Sequence, residues 1–211
     1  PTLTGNTFQN NTGAAVSMDL ASNPAISGVT LTNNGTNGLV LDTGSLVGNG
    51  FWNDPDIVYV MSNDVTVPAG QTLTVAPGQV VKATCCFFVD LFVNGTLIAD
   101  GTPALPIIFT GDRDDTAGGD TNNNAANDAG FNGIWERIEF SATSTLSVLD
   151  NVEVRFGGAN SAGQIFTNGG QLSLTNSVVR NSSTSGVRIA SSTPTLTGNT
   201  FQNNTGAAVS M

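Results

Sequence analysis

Histidine is absent from the 211 residues, and lysine and tyrosine occur once each. Without His the chain lacks the commonest general base and the commonest metal ligand. Its two cysteines, Cys85 and Cys86, are adjacent, so most catalytic constellations fall away at once. Charge is also scarce: 10% of residues carry it, against roughly 25% in ordinary soluble domains. Basic charge is scarcest, with 6 Lys+Arg against 16 Asp+Glu, a net −10 and a pI near 4.1. A protein that neutralises nucleic-acid phosphates needs a basic face, and this composition supplies none. No apolar run approaches the roughly 18 residues of a membrane span. No Met-initiated basic-then-apolar leader is present, so any targeting signal is expected outside these residues.

What the chain holds instead is 24 Asn, 25 Gly and a 39% hydrophobic fraction rich in Val, Ile, Leu and Phe. That fraction is enough for a core, so disorder is not expected despite the polar bulk. Residues 1–18, PTLTGNTFQNNTGAAVSM, recur letter for letter at 194–211, an offset of 193 residues. Eighteen identities in a row are not chance. The simplest reading is one 193-residue unit of a tandem array, followed by the start of the next.

A finer, degenerate repeat runs inside the long one. Leu3 to Asn10, Ile26 to Asn33, Leu149 to Phe156, Leu174 to Asn181 and Leu196 to Asn203 share a frame. It is an apolar residue, a second apolar residue five positions on, and usually Asn two later. Successive blocks lie 22, 23 or 25 residues apart where they adjoin. A period in the low twenties with β-branched alternation and Asn/Gly turns is a solenoid signal. Amphipathic Ala/Leu/Glu/Lys runs are missing, which excludes helical repeats. The expected fold is all-β: a parallel β-helix of about seven to nine coils, with one long inserted acidic loop. Asn10, Asn33, Asn181 and Asn203 then fall at strand ends and are expected to form a ladder. Each amide would bond to the one above and to turn backbone, and Asn tolerates the left-handed conformation that such turns need. Phe156 interrupts this ladder in one coil.

The middle of the chain narrows the fold. Val65-Thr-Val67-Pro-Ala-Gly70, Leu73-Thr-Val75-Ala-Pro-Gly78, Val93-Asn-Gly95-Thr-Leu97 and Pro106-Ile-Ile-Phe109 follow one another. FWNDPDIVYV precedes them at 51–60, and RDDTAGGDTNNN with Gly133-Ile134-Trp135 follows. This pattern resembles the right-handed parallel β-helix modules of large secreted bacterial surface proteins, of the pectate-lyase-like superfamily fold. The resemblance covers about 50–211 and implies a secreted, cell-surface or extracellular setting. It says little of activity, because the fold hosts lyases, hydrolases, adhesins and inert spacers alike. Residues 1–50 then read as the terminal coils of one unit and 51–211 as the start and body of the next. The stretch 42–56 joins them as a loop rather than a flexible linker, with Leu46, Phe51 and Trp52 placed to cover a solenoid end.

Three features carry candidate chemistry. The loop 111–133 gathers Asp112, Asp114, Asp115, Asp120 and Asp128 with Asn122 and Asn124. Oxygen ligands of this kind suit Ca²⁺, and Asp120-x-Asn122-x-Asn124 has the alternate spacing of an EF-hand-like loop. Ala125 stands where Gly should follow and no Glu sits at the twelfth place, so a solvated acidic loop closed by Asx turns is the rival reading. Second, Arg137, Glu139, Glu153, Arg155 and Arg180 alternate with apolar residues and so face outward. Arg155 and Arg180 share a frame position one coil apart, as an acidic-sugar site or as a charge ladder of weak surface pairs. Third, Cys85-Cys86 is a vicinal disulfide, a pair of interchain links or two thiols; an oxidising setting disfavours the last. The flanking Phe87, Phe88 and Phe92 belong either to the core or to a contact patch.

The leading expectation is a structural one: a repeat unit of a long extracellular fibre, filament or adhesin stalk, associating end to end with its own copies and not an enzyme. The alternatives are a Ca²⁺-dependent polysaccharide lyase or hydrolase, or a carbohydrate-binding β-helix meeting surface glycans. Missing His counts against catalysis, as does a single Lys, Lys82, far in sequence from the acidic loop.

Overall fold

Short apolar runs broken every few residues by Gly or Asn can form only short strands, and a strand three residues long needs neighbours on both edges. The computed structural model, which describes every residue except 87, 126 and 162, supplies those neighbours from successive coils. Strands β1 (Thr2–Thr4), β2 (Thr7–Gln9) and β3 (Ala14–Met18) make the first coil, and β4 (Ala25–Ser27), β5 (Thr30–Thr32) and β6 (Thr36–Leu41) the second. The third holds β7 (Gly44–Ser45), β8 (Gly50–Trp52) and β9 (Tyr59–Met61), the fourth β10 (Val65–Val67), β11 (Thr72–Val75) and β12 (Val80–Ala83). The fifth holds β13 (Asp90–Val93), β14 (Thr96–Asp100) and β15 (Ile107–Gly111). In the sixth come β16 (Arg137–Ser141), β17 (Ser147–Asp150) and β18 (Val152–Arg155), in the seventh β19 (Ile165–Asn168), β20 (Leu172–Thr175) and β21 (Val178–Arg180). Last are β22 (Val187–Ala190), β23 (Thr195–Thr197) and β24 (Thr200–Gln202), with β25 (Val209–Ser210) opening a ninth turn.

The strands stack into three long sheets, and every strand pairing among them is parallel. One sheet has seven strands (β7 to β25, every third strand), one has six (β8 to β23) and one has eight (β3 to β24). The chain is therefore an all-β parallel solenoid of about nine turns. Inward positions align coil on coil: Leu39, Tyr59, Val81, Phe109, Val154, Val179 and Phe201 form one unbroken register line. All but the terminal Phe201 are essentially inaccessible, and each such side chain contributes about 1.5–3 kcal/mol of burial. Ala99, Leu149, Leu174 and Leu196 make a second line. The frame read from the sequence is this stacking.

Two corners per coil explain the Asn/Gly turns. The turn from the six-stranded to the eight-stranded sheet carries a left-handed residue at Asn151, Asn176 and Gly198, and the next turn carries one at Phe156, Asn181 and Asn203. Gly5 and Gly28, then Asn10 and Asn33, repeat these corners in the first two coils. By their corners, β1 and β4 match the six-stranded sheet, β2 and β5 the eight-stranded, and β3 and β6 the seven-stranded. Yet β1 pairs only with β4 and β2 only with β5, while β3 and β6 join the eight-stranded sheet under β9. The first two coils are thus out of phase with the rest by one strand. The duplicated segment shows it directly: Val16 of β3 lies in the eight-stranded sheet, and its copy Val209 lies in the seven-stranded one.

Candidate functional site

The phase slip creates a joint, and residues 42–60 fill it. An interior β4 would donate its N–H groups to a strand of the next coil. Here Ile26 N–H donates instead to Asp54 Oδ1 (2.6 Å) and Gly28 N–H to Asp56 Oδ2 (2.8 Å). Two carboxylates replace two strand carbonyls, and Pro55 between them brings no N–H needing a partner. Asp54 is buried and accepts a further bond from the Tyr59 hydroxyl at 2.7 Å. Burial and this carboxylate both raise the Tyr59 pKa above the usual phenol value. Leu46 and Trp52 are buried at the same place, Trp52 against Tyr59 with ring centroids 5.9 Å apart, whereas Phe51 is exposed.

The acidic loop lies over the outside of the eight-stranded sheet and crosses this joint. At its near end Thr121 O accepts Asn37 N–H of β6 (2.8 Å), and Asp120 O accepts Asn37 Nδ2 (3.2 Å). Gly38 and Gly118 let the loop settle against β9: a Cβ on Gly118 would lie 2.4 Å from Val58 Cγ2. Lys82 of β12 is fully buried beneath it and donates to Gly119 O at 2.8 Å. Desolvation lowers the Lys82 pKa to about 8, partly offset by Asp114, Asp115 and Asp112. Lys82, distant from the loop in sequence, is thus one of its anchors. At the far end Asn132 Nδ2 reaches Ser182 O and Thr205 Oγ1 at 3.2 and 3.3 Å.

The residues read as calcium ligands occupy this loop in separate roles. Asp112 Oδ1 accepts Cys85 N–H, and burial raises the Asp112 pKa. Asp114 is fully buried and takes Arg155 (2.6 Å), Thr110 Oγ1 (2.7 Å) and Thr116 Oγ1 (2.6 Å). Asp115 Oδ2 accepts Asp128 N–H, and Asp128 Oδ2 accepts Asn124 Nδ2. Asp120 closes the loop over its next residues by accepting the Asn124 and Ala125 N–H groups, four and five positions on. Asp115 Oδ1 and Asn122 Oδ1 are buried without a hydrogen-bond partner. Among the described residues no three carboxylates converge on a point fit for a metal.

The outward Arg pair is in register, as the frame implies, but it is engaged. Arg155 is nearly buried under the loop, held by Asp114 and Glu153, and Arg180 pairs with the same Glu153 at 2.5 Å. Arg137 likewise holds Glu136 (2.6 Å), Glu139 (3.0 Å) and Asp90 (3.5 Å). Asp90, which the sequence does not single out, has its pKa raised to about 7 by desolvation, against the pull of Arg137. Cys85 and Cys86 are bonded to each other in a turn where Cys86 has φ 72°. Phe88 is exposed and Phe92 half-buried, and Phe87 lies outside the described residues.

The ladder asparagines divide their work between neighbours. Asn10, Asn33, Asn181 and Asn203 hold the left-handed corners, but their side chains do not bond from coil to coil. The coil-to-coil amide bonds belong to the residue after. Asn34 is fully buried, accepts Asn11 N–H (3.2 Å) and donates to Phe8 O (2.9 Å). Asn204 repeats the arrangement with Ser182 N–H (3.0 Å) and Val179 O (3.1 Å). Alternation by twos breaks at a left-handed residue, which is why the strand frame misplaces these amides by one.

Compared with known protein families, curated proteins and solved structures, the chain matches none.

Proposed function

We propose that the chain is a structural repeat unit of a long extracellular fibre, filament or adhesin stalk built from tandem solenoid modules. The observation that carries this reading is the 18-residue copy at an offset of 193 residues, whose two instances are both built into the stack as strands rather than left as tails. A parallel solenoid has open edges only at its ends, and a copied unit is the element that extends it. A cysteine pair bonded to itself fits an oxidising compartment, as does the resemblance to secreted bacterial modules.

Calcium has no necessary place in this reading, because the chain's own donors answer most of the acidic oxygens. A lyase, hydrolase or glycan-binding role finds less support: Arg155 and Arg180 are committed to Asp114 and Glu153, leaving no free pair for an acidic sugar. Electron microscopy of the native full-length protein tests the proposal. Filaments or rods are expected, and isolated compact particles would overturn it.

A further inference from the structure

The two copies of the 18-residue segment meet different surroundings, and the difference specifies how units join. In the first copy, β1, β2 and β3 are covered by β4, β5 and β6 in a defined register. Leu3 lies beside Ile26, Thr4 beside Ser27 and Phe8 beside Leu31. Beyond the strand ladders themselves, three backbone N–H groups at the turns reach up to that second coil: Gly5 to Ser27 O, Asn10 to Thr32 O and Asn11 to Asn34 Oδ1. In the second copy the same side chains and the same donors, now on Gly198, Asn203 and Asn204, form the top of the stack. Its lower edge is already filled: Leu196 stacks on Leu174, Phe201 on Val179, and Asn204 reaches back to Val179 O. The two copies thus show the two sides of one coil, the first its upper contacts and the second its lower contacts.

Superposing them completes the seam. We infer that the coil 194–211 is covered by residues 25–41 of a further copy of this unit, in the register that β1–β3 show here. Leu196 meets the next unit's Ile26, Thr197 its Ser27 and Phe201 its Leu31. Asn203 N–H donates to its Thr32 carbonyl and Asn204 N–H to its Asn34 Oδ1. That unit's Asp54 and Asp56 then cap its own β4, and its acidic loop reaches back over the joint through Asn37. The seam also sets the twist. From β1 to β23 is a spacing of 22 strands, which at three strands per coil is seven and a third coils. Each unit therefore enters the next one face further round, and three units restore the original phase. At a coil spacing of ~4.8 Å the rise is roughly 35 Å per unit.

This inference rests on the tandem reading and specifies its joint. It is tested on the 211-residue chain and on a two-unit chain in which residues 19–211 follow Met211 once more. Hydrogen exchange is followed at Gly198, Asn203 and Asn204, with Val81 and Val154 of each unit as markers of a folded body. In the single-unit chain the three seam amides exchange freely; in the two-unit chain they are expected to slow by roughly a hundredfold or more, as amides inside a cooperative stack do. Thr197→Cys with Ser27→Cys in the added copy should form a disulfide, because parallel neighbours lie within bridging distance. Thr197→Cys with Thr32→Cys should not. Fast seam amides beside protected bodies would overturn the inference, as would an added unit that fails to fold or a disulfide only in the second pairing. Rods from the native protein with an unprotected seam would remove the inference and leave the fibre standing. A protected seam in a protein that forms compact particles would do the reverse.

Discussion

An asparagine at a solenoid corner can serve through its backbone or through its amide, and adjacent positions here separate the two. Asn33 holds φ 53° with its side chain exposed, while the buried Asn34 side chain satisfies Asn11 N–H and Phe8 O. Asn33→Gly keeps the left-handed conformation available and should change stability by less than about 0.5 kcal/mol. Asn34→Ala strands buried backbone groups and should lose about 1–3 kcal/mol in urea unfolding. The Asn-Asn doublets are visible in the sequence; which member turns inward is set by the corner dihedral and is not. Asp90 belongs to the same scale. Its pKa is raised to about 7, so between about pH 4 and 7 the folded state holds a proton that the unfolded chain has released. Stability should therefore fall as pH rises through that window. Asp90→Asn should flatten the fall and raise stability at pH 8 by roughly 1–2 kcal/mol, as read from thermal melts across pH.

Among elements, the acidic loop is a strap whose anchors come from distant coils. Asn37, Lys82 and Arg155 hold it, from β6, β12 and β18. Its acidity and length are plain in the sequence, but these partners lie at least 37 residues from the groups they hold, and only stacking brings them together. Asp114 is the pivot. Asp114→Ala leaves Arg155 buried without its main partner and should cost about 3 kcal/mol; Asp114→Ala with Arg155→Met should cost less, since the stranded charge goes too. A double-mutant cycle in denaturant measures the difference. Because the loop's oxygens are met largely by the chain itself, millimolar Ca²⁺ should leave the melting temperature unchanged. A saturable rise that Asp115→Asn removes would assign the loop to calcium instead.

For the molecule as a whole, the fold was the most legible level. Apolar residues recurring every 22 to 25 positions stack as Leu149, Leu174 and Leu196 do, because a coil length repeated in sequence is a register repeated in space. The joint was only half legible. Clustered Gly, Asn, Asp and Pro mark 42–56 as a loop, yet the structure builds β7 and β8 there, and the one-strand slip is not legible at all, since β3 and β25 share a sequence and lie in different sheets. In the proposed fibre, copies of this unit continue one stack. Small-angle scattering on chains of one, two and three units tests it most directly. Rods of constant cross-section are expected that lengthen by roughly 35 Å with each added unit, the rise of seven and a third coils. A cross-section that grows with unit number, or a length that does not, would contradict it.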